Sequence, residues 1–520
     1  CVPPPPPLPY RGTTKRNLLI ILQKMFFSAL MLILTVVLVL IYINGKYNAK
    51  YWKKRGVVYD MNNKYLGPFF EYMYSKQSVY EIFQRIYKSH PDAPAVGVAS
   101  FFTPTLFVKD LANIQHLLAS DFYSFNHRGF EANEDDLLAD NMLFMTGKRW
   151  KLMRQQMTPL FTSTKLKSMY YIMDKSATDF MEYLKNNPQY LKGNAFKTLS
   201  TFCSAAIGAA VFGVNTESVF DSPFLEMAQK ANRTSIKTQV GFAISSVSPK
   251  LFKLTGIKIF KEHEDFFIGA IKQIIRAREQ EKVKRHDFAD ICVSLQHNGT
   301  LKDSETGLEL QPTDEILAAQ AFFFFIAGVE PSASGIFSTL VELGRNPEIL
   351  KKLHEQIDRI FENHKNISYD VLSEMEYLDE VINEALRMHP PISNLSRQSV
   401  NNTSLPVGNI KIDKGTRIIV PIYQFHYDAK YYPDPEQFRP ERFSKENKQN
   451  MIDAAYMPFG KGNRICVGTR FAFLQMKAGL VHLLRNYTVR TILNEDKIKY
   501  KRDILQLRIA NADVEFIPRY

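Results

Sequence analysis

Residues 459–468 read Phe-Gly-Lys-Gly-Asn-Arg-Ile-Cys-Val-Gly, and a helical pattern follows from Thr469. The cysteine, Cys466, follows two glycines and lies two residues after Arg464. Backbone N–H groups of such a loop, and the N-terminus of a following helix, stabilise a thiolate. One cysteine is too few for a structural zinc site, whereas haem iron can take a single protein thiolate because the porphyrin supplies other donors. The alternative is a free cysteine buried in a turn, which is the commoner fate of a lone cysteine.

The spacing of this loop favours the metal-ligand interpretation. A chance match to Phe-x-x-Gly-x-Arg-x-Cys-x-Gly is about a 1-in-10,000 event in a chain of this length. The stretch resembles the cysteine-ligand loop of the cytochrome P450 family. The resemblance implies a mainly α fold with small β-sheets and an N-terminal transmembrane helix, with haem b (iron protoporphyrin IX) as cofactor and Cys466 as ligand of its iron. Phe459 and Gly468 are then expected to contact the haem.

Length, charge and cysteine usage bound the class of protein. The chain has 520 residues, which alone favours about three domains, but the resemblance implies one haem-thiolate catalytic domain over residues 69–520. A net charge of +13 is compatible with nucleic acid, a membrane surface or an acidic partner. Because no Lys/Arg stripe with interleaved aromatic residues is present, we exclude nucleic acid. The cysteines show no Cys-x-x-Cys spacing, which indicates a reducing compartment.

Residues 25–43 read MFFSALMLILTVVLVLIYI and carry no charge. Nineteen such residues are enough to cross a bilayer, so we predict a transmembrane signal anchor here, in contact with membrane lipid. Residues 44–68 form a basic juxtamembrane linker, which places the following chain in the cytosol. Residues 1–24 begin with Cys and carry opposing basic residues, so we expect a non-native extension. Together with the resemblance, this predicts a single-pass protein of the endoplasmic reticulum membrane whose catalytic domain faces the cytosol.

Three arginines and a tryptophan are candidates for binding the haem propionates. Trp150 and Arg154 are four residues apart and share a helix face, which can donate hydrogen bonds to carboxylates. Taken alone, the pair also fits a cation–π contact on the surface. The segment resembles the Trp-x-x-x-Arg helix of the family, and Arg397 and Arg464 match two further arginines that pair with propionates. Arginine suits this task because its fork binds carboxylates bidentately.

A helical pattern of about 31 residues runs from Asp314 to about Gly344 and includes four consecutive phenylalanines, which indicates burial on nearly all sides. In the family such a helix crosses over the haem with an Ala-Gly-x-Asp/Glu-Thr centre. Here Ala327, Gly328 and Glu330 match, but the threonine position is Pro331, and Ser332 follows. Either Ser332, or a water on the freed carbonyl of Ala327, delivers protons to bound oxygen, or oxygen activation is poorly coupled. A packing substitution without chemical effect is the remaining alternative.

Glu384 and Arg387 lie three residues apart on one helix face, and the same spacing recurs elsewhere in the chain. The position of Glu384 before Cys466, and the prolines that end its helix, single out this pair. With Arg442 it resembles the Glu-Arg-Arg triad of the family, which we interpret as structural support. His426 lies after a strand-like segment and has no partner histidine at metal spacing, so we expect no ligand role for it.

The resemblance also implies a lipophilic substrate pocket. Its candidate lining residues are apolar: Phe322, Phe325, Ile392, Ile504 and Leu505. The motif Tyr51-Trp-Lys-Lys-Arg-Gly56 and the segment 159–167 resemble the insect microsomal branch associated with foreign compounds. The implied activity is insertion of one oxygen atom from O₂ into a xenobiotic, plant toxin, insecticide or endogenous lipid or hormone.

The resemblance implies electron transfer from NADPH through the FAD and FMN of NADPH–cytochrome P450 reductase, with cytochrome b5 as a second candidate partner. Four basic residues near the Trp150 helix and the Cys466 loop are candidates for a docking face: Lys148, Arg149, Lys151 and Lys461. Two other functions remain open. One is a haem-thiolate isomerase or dehydratase that needs no reductase, and the other is a non-enzymatic, membrane-anchored binder of haem or hydrophobes.

Overall fold

The protein is mainly helical with small β-sheets, as predicted. The structure is a computed structural model and describes most of the chain: residues 12–62, 64–100, 103–213, 249–281, 287–364 and 366–520, and the single positions 3, 230, 240, 241, 244, 245 and 285. Most of the segment 1–11, which belongs to the expected non-native extension, lies outside the described residues.

The α-helices, numbered along the described chain, are α1 Gly12–Lys53, α2 Pro68–Tyr74, α3 Val79–Ser89, α4 Leu111–Gln115, α5 Gly147–Met157, α6 Ser163–Asn186, α7 Ala195–Phe212, α8 Pro249–Thr255, α9 Glu264–Gln280, α10 Phe288–His297, α11 Asp314–Arg345, α12 Pro347–Asn363, α13 Tyr369–Ser373, α14 Glu376–Met388, α15 Ile422–His426, α16 Lys445–Lys448 and α17 Thr469–Asn486. Short 3₁₀ turns occur at Leu137–Ala139, Thr158–Phe161, Pro188–Leu191, Lys261–His263, Pro440–Phe443 and Asp453–Ala455, and a π turn at His116–Ser120.

The strands are β1 Val58–Tyr59, β2 Ala95–Val98, β3 Thr105–Val108, β4 Leu301–Lys302, β5 Glu309–Leu310, β6 Asn394–Gln398, β7 Thr403–Leu405, β8 Ile410–Ile412, β9 Arg417–Pro421, β10 Tyr487–Leu493 and β11 Ala512–Pro518. Five of them form a sheet in the order β1-β2-β3-β9-β6. Its β1–β2 and β3–β9 pairs are parallel, whereas β2–β3 and β6–β9 are antiparallel. The remaining strands form two-stranded antiparallel ribbons, β4–β5, β7–β8 and β10–β11.

The long helix α11 is the centre of the core. The Thr313 hydroxyl caps it by accepting a hydrogen bond from the backbone N–H of Ile316, and Asp314 supplies negative charge in the first turn. The helix packs against α7, α9, α14 and α17. It runs without a break through Pro331 and ends one residue beyond the predicted Gly344. The predicted central helix is therefore present, and the proline does not interrupt it.

Close approach of α11 to α17 depends on a glycine. A Cβ at Gly335 would lie 2.5 Å from Sδ of Met476 in α17. Phe161 forms a second bridge between the same helices, because its ring packs edge-on against Phe324 of α11 and Phe471 of α17, at 5.3 and 6.3 Å between centroids. These contacts position the helix that follows Cys466 against the central helix.

The N-terminal helix is long and apolar enough to cross a membrane. From Ile20 to Lys53 it contains an apolar window with none of its residues buried inside the protein. Helices α7 and α11 are also long and apolar enough, with lower mean hydropathies of 1.4 and 1.5 against 2.9, but 83% and 61% of their apolar windows are buried within the protein, so they are core helices. Helix α1 also continues past Ile43 to Lys53, so the first part of the predicted linker 44–68 is helical.

The last turns of α1 pack directly onto the sheet. Trp52 is completely buried, and a Cβ at Gly97 of β2 would lie 2.4 Å from its indole ring. The hydroxyl of Tyr51 and the guanidinium of Arg55 both donate to the carboxylate of Asp413, at 2.8 and 2.6 Å. Helix α1 is thus connected to the rest of the protein by packing and by an ion pair as well as by the chain.

We expect Gly97→Val to lower the free energy of unfolding by about 1–3 kcal/mol, because overpacking forces a buried side chain from its position. Urea unfolding of the detergent-solubilised chain would measure the change. The matched control is Gly269→Ala in α9, where a Cβ meets no atom within 4 Å. This helical replacement should leave the stability unchanged or raise it by about 0.5–1 kcal/mol. Equal unfolding midpoints for the two variants would contradict the tight fit of Trp52 on Gly97.

Candidate functional site

The loop before α17 is shaped by glycines and by its own backbone hydrogen bonds. Gly460 and Gly462 have φ values of 75° and 72°, in the left-handed region that favours glycine. A Cβ at Gly462 would lie 1.9 Å from the carbonyl oxygen of Leu118, so only glycine fits there. The N–H of Cys466 donates to the carbonyl of Phe459 at 3.0 Å and closes the loop. This geometry holds Cys466 just before the N-terminus of α17.

The side chain of Cys466 is exposed to solvent, although many protein atoms lie around its sulfur. Burial raises its pKa. Hydrogen bonds from the backbone of Gly468 and the hydroxyl of Thr469, and the positive charges of Arg154 and Arg128, act in the opposite direction and stabilise the thiolate. When a metal cation binds the sulfur in place of the thiol proton, these groups help to stabilise the Cys466 thiolate.

Four arginines surround this loop: Arg128, Arg154, Arg397 and Arg464. Their hydrogen bonds to described residues go to backbone carbonyls. Arg128 donates to Arg464 at 3.3 Å and Arg154 donates to Ile465 at 3.0 Å. Arg397 donates to Ser396 at 2.8 Å and Arg464 donates to Met145 at 2.6 Å. None of the four makes an ion pair with an acidic group among the residues that the structure describes. Arg464 Nε and Nη1, Arg397 Nε and Arg128 Nε are buried without a partner there.

The electrostatics of this arginine cluster are unfavourable without a negatively charged ligand. Burial, followed by repulsion from Arg128, Arg397 and Arg154, lowers the pKa of Arg464 to about 8. Burial and the charge of Arg128 lower the pKa of Arg397 to about 9, and burial lowers that of Arg128 to about 10. Buried guanidiniums need anionic partners, and their planar forks bind carboxylates well. The cluster therefore fits a ligand that carries carboxylates.

Trp150 and Arg154, which the sequence analysis predicts to bind propionates, both lie at this loop. The guanidinium of Arg464 lies over the Trp150 ring, 4.5 Å from its centroid, and Arg154 donates to the carbonyl of Ile465. Arg128 was missed by sequence reasoning. It precedes Gly129, whose φ is 82°, in an irregular loop, and no periodic pattern distinguishes it among the 66 lysines and arginines of the chain. Only the fold brings it to the loop.

The predicted triad is assembled beside this loop. Arg387 donates to both oxygens of Glu384, at 2.7 and 2.9 Å, and both side chains are completely buried. Nε of Arg442 donates to Glu384 at 3.2 Å, and the backbone N–H of Arg439 donates to the same oxygen at 3.0 Å. The carboxylate thus has four donors, which compensate its burial.

His426 connects the triad to the Cys466 loop. Nη1 of Arg387 donates to the His426 carbonyl at 2.8 Å. The His426 ring accepts the N–H of Met457 at Nε2, so its Nδ1 carries the proton that bonds the carbonyl of Arg387. Burial lowers the pKa of His426 to about 3, which keeps the ring neutral. The histidine positions the backbone just before Phe459.

The centre of α11 presents a mixture of accessible and buried groups. Ala327 is exposed, Gly328 and Glu330 are half-buried, and Ser332 is buried. The carboxylate of Glu330 forms an ion pair with Arg508 at 3.3 Å. A proton-relay role for Glu330 would therefore require this pair to open.

The predicted pocket residues fall into two groups. Phe322 and Phe325 are completely buried, and both pack against Phe267 of α9, at 4.9 and 6.1 Å between ring centroids. Their rings present no surface to a ligand, so substrate contact would require them to move. Ile392 bridges to Gln506 through the backbone, and Ile504 is 45% exposed. Leu505, which is half-buried, offers its carbonyl to the N–H of Ser393 at 2.8 Å, so the two segments are adjacent.

Three of the four residues expected to form a docking face are engaged in ion pairs. Arg149 pairs with Asp140, Lys151 with Glu305 at 2.6 Å, and Lys461 with Asp453 at 2.6 Å. Lys148 is exposed. The acidic partners reduce the positive potential of this surface below what the basic residues alone suggest.

Removing the triad carboxylate should be strongly destabilising. We expect Glu384→Ala to lower the free energy of unfolding by about 3–5 kcal/mol, because the charge of Arg387 would remain buried without a partner. Chemical denaturation followed by circular dichroism measures this. The control is Lys167→Ala, which breaks a solvent-exposed pair with Asp370 and should change stability little. A similar loss in both variants would refute the supporting role of Glu384.

Comparison with known proteins identifies the family of the chain. The family model described as cytochrome P450 matches residues 61–516. The chain is 34% identical over 457 residues to probable cytochrome P450 6a14 of Drosophila melanogaster, covering 84% of this chain and 89% of that protein. It is 33% identical over 461 residues to cytochrome P450 6B5 of Papilio glaucus (87% and 95%), and 30% identical over 469 residues to cytochrome P450 6B7 of Helicoverpa armigera (89% and 92%). With most of its length matched, the chain belongs to the cytochrome P450 family of monooxygenases.

Proposed function

We propose that this protein inserts one oxygen atom from O₂ into a small lipophilic substrate, with electrons from NADPH delivered through NADPH–cytochrome P450 reductase. The observation that carries the proposal is the arginine cluster around the loop of the accessible Cys466. Arg397 and Arg464 are buried, Arg128 and Arg154 are half-buried, and none of the four has an acidic partner among the described residues. Similarity to insect relatives supports a foreign compound, a plant toxin, an insecticide or an endogenous lipid or hormone as substrate.

The donor set around Cys466 fits a haem, the cofactor that the family implies. The Cys466 thiolate would ligate the iron, and the arginine cluster would neutralise the two propionates. Trp150 lies under Arg464 and would support the same carboxylates, while Phe459 and Gly468 flank the thiolate loop. When bound, the haem supplies the oxygen chemistry, and a thiolate ligand favours O–O cleavage.

Proton delivery would depend on α11. Pro331 has no N–H to bond the carbonyl of Ala327, and Ala327 is exposed. Our hypothesis is that the helix holds a groove for water beside Ala327 and Gly328, and that this water replaces the missing threonine hydroxyl. Ser332 is buried nearby and is the alternative donor. Glu330 would supply protons from solvent once its pair with Arg508 opens.

The proposed location is the endoplasmic reticulum membrane, with the catalytic domain in the cytosol. The apolar part of α1 would serve as the single anchor. Lys46, Lys50, Lys53 and Lys54 follow it and are exposed, as the positive-inside rule expects for the cytosolic side. This location would give access to the membrane-bound reductase and to cytochrome b5.

Two other functions are alternatives to this proposal. One, raised by the missing threonine, is a haem-thiolate isomerase or dehydratase that acts on an oxygenated substrate without a reductase. The apolar character of the candidate pocket is compatible with a non-enzymatic binder of haem or hydrophobes. NADPH consumption and product formation with purified reductase separate a monooxygenase from both, and turnover of a hydroperoxide without reductase separates the isomerase from the binder.

The arginine cluster predicts which variants lose haem. Arg128→Gln and Arg464→Gln should each lower the haem content of the purified chain, because the propionates lose a buried partner. Cys466→Ala should abolish the red-shifted band in the reduced carbon-monoxide difference spectrum. The matched control is Arg470→Gln, an exposed arginine just beyond the loop that should retain full haem content. Full haem retention in both cluster variants would overturn the assignment of the propionate site.

The water-groove hypothesis predicts the effect of restoring the threonine. Pro331→Thr should leave the yield of product per NADPH unchanged or lower it, because the threonine N–H would recapture the Ala327 carbonyl. Product and NADPH are measured together in the reconstituted system with reductase. Ser332→Ala serves as the companion variant, since it lowers the yield only if the serine donates the proton. A many-fold higher yield in Pro331→Thr would rule out the groove.

A further inference from the structure

A buried tyrosine forms a hydrogen-bonded triad with a histidine and a glutamate at the C-terminal end of α11. The hydroxyl of Tyr500 lies 2.7 Å from Nδ1 of His389, and Nε2 of the same ring lies 2.8 Å from Oε1 of Glu342. Their side chains are 9%, 2% and 1% exposed, respectively. Arg345 also donates to Glu342, at 2.9 Å. None of these groups has a part in the chemistry described above.

The ionisation states in this triad follow from its geometry. Burial opposes the charge on Glu342, but hydrogen bonding to His389 and the charge of Arg345 lower its pKa below the usual value. An ionised carboxylate only accepts hydrogen bonds, so Nε2 of His389 carries a proton. We assign His389 the neutral form with its proton on Nε2, in which Nδ1 offers its lone pair to the phenol of Tyr500. Burial raises the pKa of Tyr500, so the phenol is protonated in the resting protein.

Further tyrosines surround Tyr500. Tyr80, Tyr423 and Tyr500 have ring centroids within 5.9 Å of one another, and Tyr423 stacks on Tyr427 at 4.5 Å. The hydroxyls of Tyr423 and Tyr427 also interact with that of Tyr500. The result is a dense group of phenols in the protein interior, next to one strong proton acceptor.

This tyrosine group is connected to the Cys466 loop. Tyr427 is adjacent in the chain to His426, whose ring stacks on Tyr456 at 5.5 Å between centroids. Nε2 of His426 accepts the N–H of Met457 at 3.0 Å, and the carbonyl of Met457 accepts the N–H of Gly460 at 3.0 Å. Aromatic rings and hydrogen bonds therefore run from Tyr500 to the loop that carries the candidate haem ligand.

Oxidation of a phenol by one electron makes its O–H proton strongly acidic, so the reaction is easy only where a base takes the proton at the same time. His389 is such a base, because its Nδ1 faces the phenol and Glu342 stabilises the imidazolium that results. The Tyr500 hydroxyl also lies 3.3 Å from the carbonyl of Met388, but a backbone carbonyl cannot take up the proton, whereas the closer His389 can. The geometry around Tyr500 therefore differs from that of an ordinary buried tyrosine.

We infer that Tyr500 is a redox-active tyrosine that donates one electron to the oxidised haem when no substrate is oxidised. In this step the phenol O–H bond breaks, one electron leaves the ring for the haem oxidant, and the proton moves to Nδ1 of His389. The products are a neutral tyrosyl radical and an imidazolium paired with Glu342. A second electron, from a neighbouring tyrosine or a reductant in solution, and the proton from His389 restore the phenol. The inference rests on the proposed function for its oxidant.

The experiment uses the full, haem-loaded chain without substrate or reductase. It is mixed with a peracid, frozen within milliseconds, and examined by electron paramagnetic resonance. We expect a tyrosyl radical that loses most of its intensity in Tyr500→Phe and in His389→Gln. The matched control is Tyr171→Phe, a 55% exposed tyrosine on α6 that should leave the signal unchanged. Thermal unfolding of each variant shows whether it is folded.

A measurement on the unmodified protein keeps the test independent of variant folding. After exchange into D₂O, double-resonance spectra of the radical should show a deuteron hydrogen-bonded to the phenoxyl oxygen, which His389 would supply. No tyrosyl signal, or a signal unchanged in folded Tyr500→Phe, would overturn the inference while the Soret band still responds to peracid. A Soret band that does not respond would instead overturn the haem-thiolate assignment, so failure of the two proposals is distinguishable.

Discussion

The carboxylate of Glu384 is the interaction on which the candidate site depends. It is fully buried, and it is tolerated only because Arg387 binds it bidentately while Arg442 and a backbone N–H satisfy its remaining lone pairs. The same guanidinium of Arg387 holds the His426 carbonyl. His426 in turn holds the backbone that leads into the Cys466 loop. A charge buried inside the protein thus fixes the position of an exposed thiol through directional bonds.

The arginine cluster around Cys466 contrasts with this triad, because its charges have no acidic partner among the described residues. The four arginines around Cys466 are buried or half-buried, repel one another and donate hydrogen bonds only to backbone carbonyls among the described residues. Compensated charge in the triad gives rigidity, whereas uncompensated charge in the cluster gives affinity for an anionic ligand. This division explains why the protein uses arginine in both places, since only a permanently charged, planar group serves both purposes.

Sequence reasoning located the elements with strong local signals. The Cys466 loop, the long helix and the apolar N-terminal helix were found because glycine spacing and continuous apolar character persist over many residues. Arg128 and Arg508 were missed because each lies in irregular chain and contacts a residue far away in the sequence, 336 and 178 positions distant. That Phe322 and Phe325 pack against α9 and do not line a pocket was also unpredictable, since a helix that is apolar on all sides does not reveal which face lines a cleft.

Pro331 illustrates the same limit. Its effect on hydrogen bonding is local and follows from the sequence, but the structure was needed to show that α11 continues through it. Likewise, the residues of the Tyr500–His389–Glu342 triad are separated by long stretches of chain, and nothing in their local patterns relates them. By itself the sequence determined the family, the thiolate loop and the candidate anchor, because these depend on neighbouring residues. Tertiary structure alone decided which charges are compensated and which rings are buried, because burial and pairing depend on contacts between distant segments.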